Sequence, residues 1–295
     1  MNYILIDDHT WKRLLPLTFT KPVSEIRMGI LTVREKWDKY LNTRCSYITE
    51  PYLTSKYTLT REDENVLINS SILPNHSIIE DIAALNTGEA LIKGDTFIAV
   101  RLKDDQLVDE SYFNLTEFKV ISTDREFLKI NYPWDIFSLN GEALGDDFAL
   151  LTSGRTSAKL NRTNNILGEE NLFAEEGVNA DFVTINATKG PVYIGKEAEI
   201  MEGSLIRGPF ALCEHSTLKS GAKIYGPTTI GPHCKVGGEV NNSVIFGYSN
   251  KAHDGFLGNS VLGEWCNIGA GTNNSNLKNN YAGVRLWNYE DETFI

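Results

Sequence analysis

From Ile194 to Val236 every sixth residue is aliphatic: Ile194, Ile200, Ile206, Leu212, Leu218, Ile224, Ile230 and Val236. A period of six fits neither the 3.6 of a helix nor the 2 of a lone strand; it is the hexapeptide signature of a parallel β-helix solenoid. Four positions after these aliphatics come Ala198, Ser204, Phe210, Ser216, Ala222, Thr228 and Cys234, all small except Phe210. The large residue fills the prism and the small one lets the chain turn a corner. Gly195, Gly231 and Gly237 follow their aliphatics directly, which predicts corners with backbone angles that only glycine tolerates. The hexads lose register after Val236 and resume, shifted, at Val244, Phe256, Leu262 and Ile268, with Asn250 in an aliphatic slot. Such a break predicts a loop bulging from the solenoid.

The first half reads differently. Tyr3–Ile6 and Val66–Ile68 are short apolar strands, and Ala90–Ile92 with Phe97–Val100 form a hairpin around Lys93-Gly94-Asp95. Ile26, Ile30, Val33 and Trp37 fall at helical spacing, predicting a helix from Ser24, its cap, to Tyr40. A connecting helix opens at Tyr132-Pro133-Trp134 and runs towards Thr152. The chain of 295 residues therefore divides into an α/β domain over 1–155 and a solenoid over 156–295. A net charge of −11 with no basic block argues against nucleic acid or an anionic membrane as partner. The opening MNYILIDD lacks the basic start of a signal peptide, and no apolar run spans a membrane. The four cysteines show no CxxC spacing, so reduced thiols and a cytoplasmic location are expected.

Two stretches carry a family resemblance. Strand Tyr3–Ile6, Arg13, Pro16-Leu17-Thr18 and Lys21-Pro22 resemble the opening of sugar-1-phosphate nucleotidylyltransferases, a Rossmann-like α/β fold. The resemblance implies that Arg13 and Lys21 bind nucleotide or sugar phosphate. Asp7-Asp8-His9-Thr10-Trp11 stands where that family has a glycine-rich phosphate loop, and Ser71 stands where it has an Mg²⁺-holding Asp. The metal is therefore left open. The second stretch runs from Glu239 through Lys251, His253 and Asn267-Ile268-Gly269-Ala270-Gly271-Thr272 to Asn276. It resembles the left-handed β-helix acetyltransferase domain of the GlmU-type bifunctional enzymes, with the Glu, His and Asn spacings kept. The resemblance implies that His253 is the general base, Glu239 its partner, Asn267 and Asn276 substrate ligands, and Ala270 a backbone donor to the thioester carbonyl. Lys278 lies close to a family lysine. Asn241 replaces a lysine of that pattern, and Phe256 a tyrosine.

The chemistry is coherent. An amine attacking a thioester must shed a proton, and a histidine with a carboxylate beside it can take it. The resemblance implies acetyl-CoA, a sugar 1-phosphate and a nucleoside triphosphate as substrates, UDP-N-acetylglucosamine as product, and a homotrimer. It leaves open a glucose-1-phosphate nucleotidylyltransferase using UTP or dTTP with a structural β-helix, or a non-catalytic sugar-nucleotide-binding scaffold. His9, His76, His215 and His233 read as surface or turn residues, and Asn273-Asn274 as turn formers.

Overall fold

The computed structural model describes residues 1–107, 115–274 and 276–295. They fall into two compact units. The first contains Met1–Ile26, Thr32–Tyr132 and Trp287–Ile295; the second contains Arg27–Leu31 and Pro133–Leu286. The connecting helix thus belongs to the solenoid's unit.

The first unit is a Rossmann-like α/β layer. Its strands are β1 (Asn2–Ile6), β2 (Ser46–Ile48), β3 (Glu64–Asn69), β4 (Glu89–Lys93), β5 (Thr96–Lys103) and β6 (Lys119–Ser122), in the order β2-β1-β3-β5-β4-β6. β1 pairs in parallel with β2 and β3, while β5 runs antiparallel to β3 and β4. The apolar runs of the sequence become central strands, with Ile4, Ile6, Leu67, Ala90 and Val100 in one buried cluster. Helices α1 (Thr10–Arg13), α2 (Val33–Leu41) and α3 (His76–Ala83) complete the layer. The expected helix from Ser24 is shorter than its spacing suggested. α2 starts after Thr32, whose hydroxyl caps Glu35 N while the Glu35 carboxylate returns to Thr32 N. Ile26 and Ile30 are buried as predicted, but as ends of an extended excursion. Gly29 sits there at φ 79°, where a Cβ would lie 2.5 Å from Asp147 Oδ2.

In the second unit α4 (Pro133–Ser138) and α5 (Asn140–Thr152) replace the single connecting helix. Asp147 Oδ2, buried, accepts from Ile30 N and Leu31 N at 2.7 and 3.0 Å, and Asn140 Oδ1 accepts from Gly29 N at 2.7 Å. The rest is a parallel β-solenoid of about five turns, consistent with a left-handed β-helix. One face stacks Asn165–Leu167, Thr184–Asn186, Leu205–Arg207 and Lys223–Tyr225. A second stacks Leu172–Ala174, Val192–Ile194, Phe210–Leu212 and Thr228–Ile230. The third stacks Asn179–Ala180, Glu199–Ile200, Thr217–Leu218, Lys235–Val236 and Asn250–Lys251. All eight hexad aliphatics lie in one buried cluster. Phe210 is accommodated inside it, fully buried.

The glycines after the aliphatics act differently from the expectation. Gly195, Gly231 and Gly237 are not among the left-handed residues. They are needed because coils touch there: a Cβ on Gly195 would lie 2.6 Å from Glu214 N, and one on Gly237 2.3 Å from Ala252 O. The left-handed corner is held instead by Glu197, His215, His233, Tyr248 and Trp265, with φ between 53° and 61°. Their side chains form a column. His215, His233, Tyr248 and Trp265 stack with ring centroids 4.8, 5.0 and 4.7 Å apart. His215 Nδ1 lies 3.3 Å from Glu197 Oε2.

The register break is a deletion rather than an outward bulge. Leu218 and Lys223 are separated by four residues, their partners Val236 and Glu239 by Gly237-Gly238 alone, and Lys251 and Phe256 again by four. Glu239–Ile245 is a single strand that pairs with both Lys223–Tyr225 and Thr228–Ile230, so it runs straight across a position where earlier coils turn. The inward residues after the break are therefore Val240, Ile245, Lys251 and Leu257; Val244 and Phe256 are not part of the solenoid's central cluster.

Candidate active site

The solenoid brings most of the singled-out residues to one region near its C-terminal coils. On the first face Leu205, Lys223, Glu239 and Phe256 form one outward column, and Tyr225, Asn241 and Gly258 the next. A Cβ on Gly258 would meet the Phe256 ring at 2.6 Å and Asn276 Nδ2 at 3.0 Å, so ring and amide close over that glycine. His253 lies on the corner Ala252–Gly255 that leads into this face, and its side chain is exposed. The corner is held from both sides. Glu239 N donates to Gly255 O at 3.1 Å, and Gly271 N to Asp254 O at 3.0 Å, which lays the Ala270 corner over that of His253. Lys251 Nζ donates to His253 O at 2.7 Å.

Not every expected ligand joins them. Asn267 sits on the third face, where its Oδ1 accepts from Asn250 Nδ2 at 2.9 Å. Lys278 Nζ donates to Gly283 O at 2.9 Å. Among the described residues no hydrogen bond joins the His253 imidazole to the Glu239 carboxylate, although Glu239 N is bonded to Gly255 O of the same corner. Asn273 and Asn274, expected as turn formers, also bond to the neighbouring strand. Asn273 Oδ1 accepts from Phe256 N at 2.7 Å, and Asn274 bridges Gly258 and Ser260 Oγ, so the pair stitches the last strand of the face in place.

The first unit gathers polar residues at the carboxyl ends of β1 and β3, where open α/β sheets bind ligands. Asp7 accepts from Ser70 Oγ and Thr49 Oγ1, both at 2.6 Å, and from Val23 N at 3.0 Å. Burial nonetheless pushes its carboxyl up to about 7, against those donors. Asp8 accepts from Thr10 N at 2.8 Å and Asn69 Nδ2 at 2.9 Å; burial opposes these donors and Lys129, yet its carboxyl stays below the usual range. Ser71 Oγ donates to Asn69 Oδ1 at 2.6 Å. The carboxylates are committed to neighbours within the protein, and Ser71 offers no charge. These residues do not fit a magnesium site, and no group of three His, Cys, Asp or Glu among the described residues is arranged to hold a metal. Arg13 pairs with Glu290 and lies 5.7 Å from the centre of the Tyr132 ring. Lys21 is buried. The four cysteines carry free thiols, and burial pushes that of Cys234 up to about 11. Among the described residues no helix is long and apolar enough to cross a membrane.

A sequence profile described as sugar nucleotidyl transferase matches residues 3–156, more than half of the chain. The chain belongs to the sugar nucleotidyl transferase family and is a transferase. No curated protein matches it. Among solved structures it is similar to a histidine-to-alanine mutant of GDP-perosamine N-acetyl transferase from Caulobacter crescentus in complex with CoA and GDP-perosamine. The identity is 17%, covering 62% of this chain and 92% of that one, with a TM-score of 0.29.

Proposed function

We propose that the solenoid transfers an acetyl group from acetyl-CoA to the amine of an amino-sugar 1-phosphate, glucosamine-1-phosphate in the first instance, on the route to UDP-N-acetylglucosamine. The observation that carries this is the meeting of the His253 corner, the Glu239 face and the Ala270 corner on adjacent coils. In the resulting reaction the substrate amine attacks the thioester carbonyl and His253 takes the amine proton; the tetrahedral intermediate then collapses with cleavage of the C–S bond, and the imidazolium returns the proton to the departing CoA thiolate. The Glu239 carboxylate orients the imidazole and stabilises its charged form, and the backbone N–H of Ala270 donates to the developing oxyanion. Asn276, closing over Gly258 beside Phe256, contacts the sugar. The nucleotidylyl half is degenerate: Asp7 and Asp8 occupy the place of a phosphate-cradling loop, and their carboxyl groups accept from Thr49, Ser70 and Asn69 within the protein. That observation weighs against the alternative, nucleotidylyl transfer from UTP or dTTP with a purely structural β-helix. The test is a coupled assay for CoA release with glucosamine-1-phosphate, beside calorimetric titration with acetyl-CoA and with UTP. CoA release with acetyl-CoA binding is the expected result; binding of UTP alone, or of neither ligand, would sink the proposal.

A further inference from the structure

Lys251 occupies a position that the solenoid otherwise reserves for apolar side chains. Strand pairing places it in the inward column of Ala180, Ile200, Leu218 and Val236. It is 3% exposed, as buried as the aliphatics before it. A lysine there is costly, because an ammonium loses its hydration in an apolar column. An aliphatic residue would fill the same space without that cost. What the lysine has instead is a fixed acceptor: Nζ donates to the carbonyl of His253 at 2.7 Å.

The corner it holds is unusual. It carries four residues, Ala252 to Gly255, stacked on the two-residue corner Gly237-Gly238. The longer corner stacks on a shorter one: main-chain donors reach Asp254 O and Gly255 O, but among the described residues none reaches His253 O. Gly255, at φ 133°, adds a backbone setting in which side chains are strained. A donor reaching outward from the core to the carbonyl at the middle of the corner supplies the missing constraint. Burial lowers the affinity of this lysine for its proton, while Asp254, on the same corner, raises it.

We propose that Lys251 is a positioning residue: its buried ammonium fixes the main chain of His253, and with it the placement of the imidazole at the edge of the Glu239 face. The catalytic consequence rests on the reading of His253 as proton acceptor, whereas the constraint on the corner does not. Lys251→Met and Lys251→Leu remove the donor while keeping an apolar side chain suited to the column. Both should fold, with melting temperatures equal to or above that of the wild type. Amide hydrogen exchange read residue by residue by NMR should then show the two amides that donate to this corner, Glu239 N and Gly271 N, exchanging at least about tenfold faster, with the rest of the solenoid unchanged. His253→Ala, which keeps the carbonyl, should leave exchange in that corner as in the wild type. In the acetyl-transfer assay kcat should fall about ten- to a hundredfold in both Lys251 variants, with KM for acetyl-CoA unchanged. Exchange within twofold of the wild type in folded variants overturns the proposal, and so does failure of both variants to fold, which would make Lys251 a determinant of the fold. If the wild type transfers no acetyl group, the function proposed above fails, while the exchange measurement still decides the role of Lys251.

Discussion

A carboxylate met by three donors ordinarily stays ionised; at Asp7 burial outweighs Ser70, Thr49 and Val23, and the carboxyl titrates at about 7. The folded value lies above the unfolded one of 3.8, so between about pH 4 and pH 7 the native state binds more protons than the unfolded state. The contribution of Asp7 to stability is therefore full below about pH 4 and is lost as pH rises towards 7, on the order of a few kcal/mol in all. Asp7→Asn, whose amide can still accept from Ser70 and Val23 and donate to Thr49, should flatten this slope. Melting curves between pH 5 and pH 8 read it, and parallel slopes for variant and wild type would refute the assignment. At the solenoid, His253→Ala should reduce acetyl transfer on the order of 10² to 10⁴-fold while leaving the fold intact, since the side chain is exposed. Glu239→Gln should cost less, because it removes only orientation and charge. Unchanged activity in His253→Ala would move the proton to another acceptor. These residues were legible in the sequence because their spacing survives without the fold. Lys251 was not: the sixfold count puts the slot at Asn250, one residue earlier, and only strand pairing with Val236 turns the lysine inward. Lys21 was hidden for a related reason, since sequence spacing carries no information about depth.

At the scale of the element, the corners show two distinct uses of glycine. Gly221 has φ +70° and nothing near its Cβ position, so Gly221→Ala should cost only the left-handed penalty, about 1 kcal/mol. Gly237→Ala puts a methyl 2.3 Å from the Ala252 carbonyl of the next coil. Adjacent coils must separate, and the cost should be about 3 kcal/mol or more. Chemical denaturation of the two variants would separate the causes, and equal losses would show that coil contact is not what selects glycine at Gly237. The hexads up to Val236 were fully legible because each coil repeats the same inward slots. The next coils were misread because residues are missing at two positions in turn, and a period count cannot say which corner was cut. The start of α2 was missed for a different reason. Ile26, Ile30, Val33 and Trp37 are all buried, so their spacing mimics a helix, while the capping box at Thr32 and Glu35 marks the true start.

For the whole molecule, we propose a homotrimer: the exposed His253, Asn267 and Ala270 suit a site completed by a second copy, and a closed threefold ring of parallel prisms would supply one. Sedimentation at micromolar concentration should give a trimer; a monomer that retained acetyl transfer would show that one chain suffices. Pyrophosphate release from UTP and N-acetylglucosamine-1-phosphate should be weak or absent, and robust release would mean that an unrecognised ligand replaces the missing metal-binding Asp. The change of period partway along the chain was legible in the sequence. Which unit the excursion Arg27–Leu31 and the tail Trp287–Ile295 would join was not, because both are settled by contacts distant in sequence. The stacked column His215–His233–Tyr248–Trp265 has an optical consequence. An indole held nearly parallel to a phenol, 4.7 Å between centres and 8° apart in plane, should couple to it electronically and give a near-ultraviolet circular dichroism signal that isolated rings lack. Because each coil of a solenoid leans only on its neighbours, peeling of the coil that carries Trp265 would extinguish that signal before the backbone signal falls, and the protein would report its own unravelling in light.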